Sequence, residues 1–77
     1  METLNIITIY NSPSDYPNRY VARRFEFDKP TNEVFANENL NVVRKWVRHR
    51  LLSLGVQTPN NMGRHTNDDK VIVETWL

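Results

Sequence analysis

The chain opens on a short, mostly apolar run, alternates apolar and polar positions from Tyr20 to Phe27, repeats apolar positions every three or four residues in the middle, and alternates again at the end. These periods belong to strands and to an amphipathic helix. Leu4 to Tyr10, LNIITIY, is rich in β-branched and aromatic residues and predicts a strand. Ile7 and Ile9 share one face, while Leu4, Ile6, Thr8 and Tyr10 share the other. Both faces are largely apolar, which predicts an inner strand or one covered by a second chain. Tyr20 to Phe27, YVARRFEF, places Val21, Arg23, Phe25 and Phe27 opposite Tyr20, Ala22, Arg24 and Glu26. Asp28 to Asn32 predicts a turn, and Glu33 to Ala36 a short third strand in a hairpin with the second.

Asn37 or Asn39 is placed to cap a helix that Gly55 ends as a left-handed residue. Leu40, Val43, Val47, Leu51 and Leu54 make its apolar stripe, with Trp46 and Arg50 at the edge. Lys70 to Leu77 alternates once more, Val71, Val73, Thr75 and Leu77 against Lys70, Ile72, Glu74 and Trp76, and predicts a last strand. The expected fold is α+β: a single domain, residues 1–77, with a small antiparallel sheet of three to four strands and one helix packed on one face, in the order ββ(β)αβ.

Composition narrows the function classes. Apolar residues make up 39% of the 77 residues and charged residues 25%, a globular mixture whose small size leaves a marginal core and favours a homo-oligomer. Ten Lys and Arg against nine Asp and Glu give a formal charge of +1, so binding to nucleic acid has to rest on a local patch. Cysteine is absent, which excludes disulfides, thiol nucleophiles and Cys-ligated zinc and suits a reducing cytoplasm. No apolar run approaches the roughly 20 residues that cross a bilayer, and no signal peptide is legible, so the expectation is a soluble, unprocessed chain with no membrane partner.

Candidate chemistry gathers in Asn11 to Arg24, NSPSDYPNRYVARR. Ser12, Pro13 and Asp15 resemble an N-cap, a first helical proline and a first-turn acid, while Pro17 limits Tyr16, so one short helical turn is expected. The stretch reads either as a rigid connection or as a binding loop in which Asn11, Ser14, Asp15, Tyr16 and Asn18 supply donors and acceptors. Arg23 falls on an otherwise apolar strand face, where a charge is costly unless paired. It reads either as the partner of Asp15, Asp68 or Asp69 or as a receptor for a carboxylate or other anion. If the loop after the first strand meets the loop before the last, Asn11, Ser14, Asp15, Tyr16, Arg23, Arg24, Asp68 and Asp69 form one ligand-binding cluster.

A second candidate lies on the helix, opposite its apolar stripe, where Arg44, Lys45, Arg48 and His49 could follow a phosphate backbone. The same residues also suit a solvated helix face. No acid in the helix body neutralises them, and Leu52 among them points to a protein contact. Gln57 to Asp69 reads as a long polar loop, and His65 with Asp68 and Asp69 matches no closed zinc or calcium pattern, so no metal or cofactor is expected. Glycine-rich phosphate loops and recognisable nucleophile–base contexts are absent, so no enzyme is expected.

YNSPSDYPNRYVARRF near the start and NDDKVIVETWL at the end together resemble a family of small bacterial and phage proteins of uncharacterised function. The resemblance covers both ends of the chain and little of the helix. It implies a compact stand-alone domain carried on mobile genetic elements, and it transfers no catalytic residue. By analogy with short phage proteins that act against host defences, it implies binding of a host protein or a small anionic ligand. The expected function is therefore a non-catalytic binding protein, with nucleic-acid binding by the helix face as the alternative.

Overall fold

In the computed structural model, residues 3–64 and 70–77 are described. The elements run β1 (Asn5–Asn11), β2 (Tyr20–Glu26), β3 (Lys29–Asn37), α1 (Leu40–Ser53) and β4 (Ile72–Trp76). The strands form one antiparallel sheet in the order β3-β2-β1-β4, with α1 across one face, which is the expected α+β architecture. β1 is an inner strand, one of the two placements that its two apolar faces allow.

Register explains the layers. Ile7 and Ile9 lie opposite Arg24 and Ala22 on one side and opposite Trp76 and Glu74 on the other. These residues therefore share the face under α1, and Ile7, Ile9, Ala22 and Trp76 pack with Val43, Val47 and Leu51 of the helix as the buried core. Phe35 of β3 stacks on Trp46 at its margin, ring centroids 5.1 Å apart. Thr8, Tyr10, Val21, Arg23, Phe25 and Val34 belong to the other face, which carries no helix among the described residues. Thr8 and Val21 are nonetheless buried there.

Local chemistry sets the helix ends. The Asn39 side chain caps α1 by accepting from the Asn41 N–H at 2.9 Å. At the other end Gly55, at φ +94°, permits the paired bonds from Val56 N–H to Leu51 C=O and from Gly55 N–H to Leu52 C=O that close a helix onto a left-handed residue.

Several local expectations give way. The second hairpin turns at Phe27 and Asp28, immediately beyond the Glu26–Lys29 pair, so β3 starts at Lys29 rather than Glu33. Phe27 leaves the strand face and sits at φ +57°, half exposed; its strand-like side chain had masked the turn. Between Arg23 and Phe25 the β3 register shifts, and the Thr31 hydroxyl donates to the Arg24 C=O at 3.0 Å. Ser12 is not a helix cap: it sits at φ +51°, and its N–H closes the first hairpin by donating to Arg19 C=O, while a single hydrogen bond from Tyr16 N–H to Pro13 C=O makes the turn. In β4 a register shift opposite Ile9 and Tyr10 breaks the alternation, and Val73 joins the helix-side core. The loop after α1 also has a sheet role, since Asn60–Gly63 bonds along the outer edge of β4.

Candidate anion-binding surface

Arg23, Arg24, Arg44 and Arg50 are tied to acids of the chain, whereas Arg48 stands exposed on α1, and this difference bears on which of them can meet a ligand. Arg24 lies on the helix side of the sheet with its side chain largely covered, donating to Glu33 and, at 2.7 Å, to Asn5 Oδ1. Arg50 of α1 donates to the same Glu33 through Nε at 2.5 Å and Nη2 at 2.9 Å. Hydrogen bonds from Arg50 hold the Glu33 carboxyl below its ordinary range; burial opposes them and Arg24 adds to them.

Across the sheet, Glu74 of β4 is 4% exposed at its side chain and receives Arg44 through Nε at 2.7 Å and Nη2 at 3.3 Å, together with the Asn61 amide. The bond to Glu74 raises the Arg44 pKa. A charge-assisted, forked contact of this kind is among the stronger polar contacts a protein makes. Glu33 and Glu74 sit on the two outer strands, so α1 is clipped to the sheet on both sides through arginines on its own flanks.

Arg23 is on the opposite face from Arg24. It forms an ion pair with Asp15, and its guanidinium lies 6.0 Å from the Tyr16 ring centroid. Tyr10 on the same face has its hydroxyl pKa raised by burial, an effect that the charge of Arg23 reduces. The structure thus brings Asp15, Tyr16 and Arg23 together, with Asn11 and Ser14 exposed in the adjoining hairpin, and places Arg24 away from them beneath the helix. Asp68, Asp69 and His65 lie outside the described residues.

The outer side of α1 is different. Asn41, Arg44, Lys45 and Arg48 stand three and four residues apart, hence on one stripe, and line a groove of about 350 Å³. Lys45, Arg48 and His49 are exposed, and no described residue pairs with the two cations. Leu52 continues the stripe at 46% exposure. A larger cleft of about 600 Å³ opens between Thr3–Asn5, Arg24, Glu26, Leu54–Val56 and Leu77, with its Arg24 already committed to Asn5 and Glu33.

Asn41 was missed in the sequence, although its spacing from Arg44 and Lys45 marks it as a member of the stripe. Glu74 was missed as Arg44's partner because it lies thirty residues further along. Its only signal was an acid on the same strand face as Trp76. The chain matches no family model, no curated protein and no solved structure with which it was compared. No helix among the described residues is long and apolar enough to cross a membrane.

Proposed function

We infer that this chain is a non-catalytic, homo-oligomeric binding protein whose ligand is anionic and phosphate-bearing and lies along the outer face of α1. One observation carries the reading: Lys45 and Arg48 project from adjacent turns of α1, exposed and without an acidic partner among the described residues, beside the groove they share with Arg44 and Asn41. Arg23 and Arg24 have partners of their own, so binding there would first require breaking an ion pair. Lys45 and Arg48 can be engaged without breaking a bond to any described residue, while Arg44 stays on Glu74. Lys45 and Arg48, one turn apart along the groove, suit successive phosphates, and the chemistry they offer is charge and hydrogen-bond donation.

Affinity is expected to be modest, of the order of 10⁻⁴ M at physiological salt, and set by counterion release. The test is anisotropy of a labelled single-stranded oligonucleotide, with a mononucleotide as the second arm. Tighter binding of the oligonucleotide would identify a strand as the ligand; equal binding per phosphate would identify a small nucleotide. Each phosphate contact contributes about −0.7 to the slope of log affinity against log salt, so Lys45→Ala/Arg48→Ala should flatten it by about 1.4. An unchanged slope in that variant would overturn the proposal.

A further inference from the structure

The two edges of the sheet are finished differently. The bonds from Ser12 N–H to Arg19 C=O and from Phe27 N–H to Leu4 C=O fix the phase of the β1–β2 ladder, and with it the direction of backbone groups throughout the sheet. On β4 that phase turns Thr75 and Leu77 outward. All their backbone groups are occupied: Met62 N–H donates to Thr75 C=O at 2.8 Å, Thr75 N–H to Gly63 C=O at 3.1 Å, Asn60 N–H to Leu77 C=O at 2.9 Å and Leu77 N–H to Asn60 C=O at 3.1 Å. On β3 the same phase turns Val34 and Ala36 outward, and no described residue bonds their N–H or C=O groups. An open strand edge is a template for another strand. The first part of β3 carries Lys29, Pro30 and a register shift, features that discourage such pairing. The regular remainder, Val34 to Asn37, has none of them.

We propose that this remainder of β3 is the contact between two copies of the chain, paired antiparallel about a two-fold axis through Phe35, so that two four-stranded sheets become one. In this register Val34 of each copy meets Ala36 of the other, and every free backbone group on the stretch gains a partner. Any extended strand could satisfy these backbone groups; what favours a second copy is the set of side-chain pairs that this register makes. Phe35 meets Phe35 in a closely spaced pair next to the existing stack on Trp46, and aromatic cross-strand pairs are favourable. Glu33, already neutralised by Arg24 and Arg50, meets Asn37, so no like charges oppose. Val34 and Ala36 lie on the helix-free face beside Arg23 and Val21, so pairing carries that face across the boundary.

The proposal rests on the homo-oligomeric part of the reading above and is independent of the anion surface. Light scattering across a dilution series of the full chain should give twice the 9.1 kDa chain mass. Ala36→Pro removes an outward N–H that bonds no described residue of the single chain, so the variant should keep its far-ultraviolet spectrum and lose the dimer. Oxidation of a mixture of Val34→Cys and Ala36→Cys proteins should give a disulfide-linked dimer that neither gives alone, because the chain has no other cysteine and the paired Cα atoms would lie about 5.5 Å apart. A monomeric native protein would overturn both the oligomer and the β3 contact. A folded Ala36→Pro protein that stays dimeric would overturn the β3 contact alone. Should Ala36→Pro not fold, the cross-link decides, and its absence from the mixture refutes the pairing.

Discussion

Removing the guanidinium above Glu74 should cost more than removing the charge of Glu74 itself. Arg44→Ala leaves a carboxylate that is 4% exposed and, among the described side chains, bonded to the Asn61 amide. Breaking a buried pair from one side costs about 3–5 kcal/mol. The low end applies here, about 3 kcal/mol, because the Arg44 side chain is 41% exposed and water can enter where it stood. Glu74→Gln keeps the volume and one acceptor oxygen while freeing a partly solvated Arg44 to rehydrate, so it should cost about 1.5 kcal/mol, the value of a charge-assisted hydrogen bond. The double variant buries no charge and should be more stable than Arg44→Ala alone, a coupling of about 1.5–2 kcal/mol. Urea unfolding followed by fluorescence of Trp46 and Trp76 gives the midpoints, and in a domain this small about 3 kcal/mol lowers the melting temperature by at least about 12 °C. A loss below about 1 kcal/mol for Arg44→Ala, or simple additivity in the double variant, would show that the pair behaves as a surface ion pair and would refute the reasoning.

Other consequences are equally direct. The Glu33 carboxyl is held below its ordinary value of 4.5, so it contributes stability above that value and loses it as pH falls through its lower, folded value. Between about pH 5 and about pH 3 the native protein should therefore lose more stability than Glu33→Gln, and parallel curves in acid titrations of the melting temperature would count against this. Gly55→Ala should cost about 1 kcal/mol by denaturant unfolding: the added Cβ meets nothing within 4 Å, so the cost is only that of holding φ +94°. A loss above about 2 kcal/mol would mean that packing is involved. Phe27→Asn should leave stability unchanged or raise it by up to about 1 kcal/mol, because Asn tolerates φ +57° and the ring is half exposed; a clear loss would show that the ring packs.

The architecture was legible because each strand announces itself through Ile, Val, Tyr and Trp, and the helix through the Val43–Val47–Leu51 stripe with Asn39 and Gly55 at its ends. Periodicity reports which face a residue takes, so it separated Arg23 from Arg24 correctly. It cannot report which distant residue will face it. The partners of Arg44 and Arg50 depend on strand order, which places Glu74 and Glu33 on opposite margins of the sheet. The turn at Phe27 and the shift at Val73 were illegible for another reason: both residues have strong strand preferences that tertiary pairing overrides. The helix patch was visible in the sequence, but which of its cations remain unpaired was not, because that depends on the reach of Glu74.

Mapping backbone amide shifts of the full chain as a single-stranded oligonucleotide is titrated in shows whether the outer face of α1 is where the anion binds. Asn41, Arg44, Lys45, Arg48 and His49 should shift together, and the shifts should vanish in Lys45→Ala/Arg48→Ala while its spectrum otherwise remains that of the folded protein. Shifts centred on Asp15, Tyr16 and Arg23 with the helix unchanged would contradict that placement.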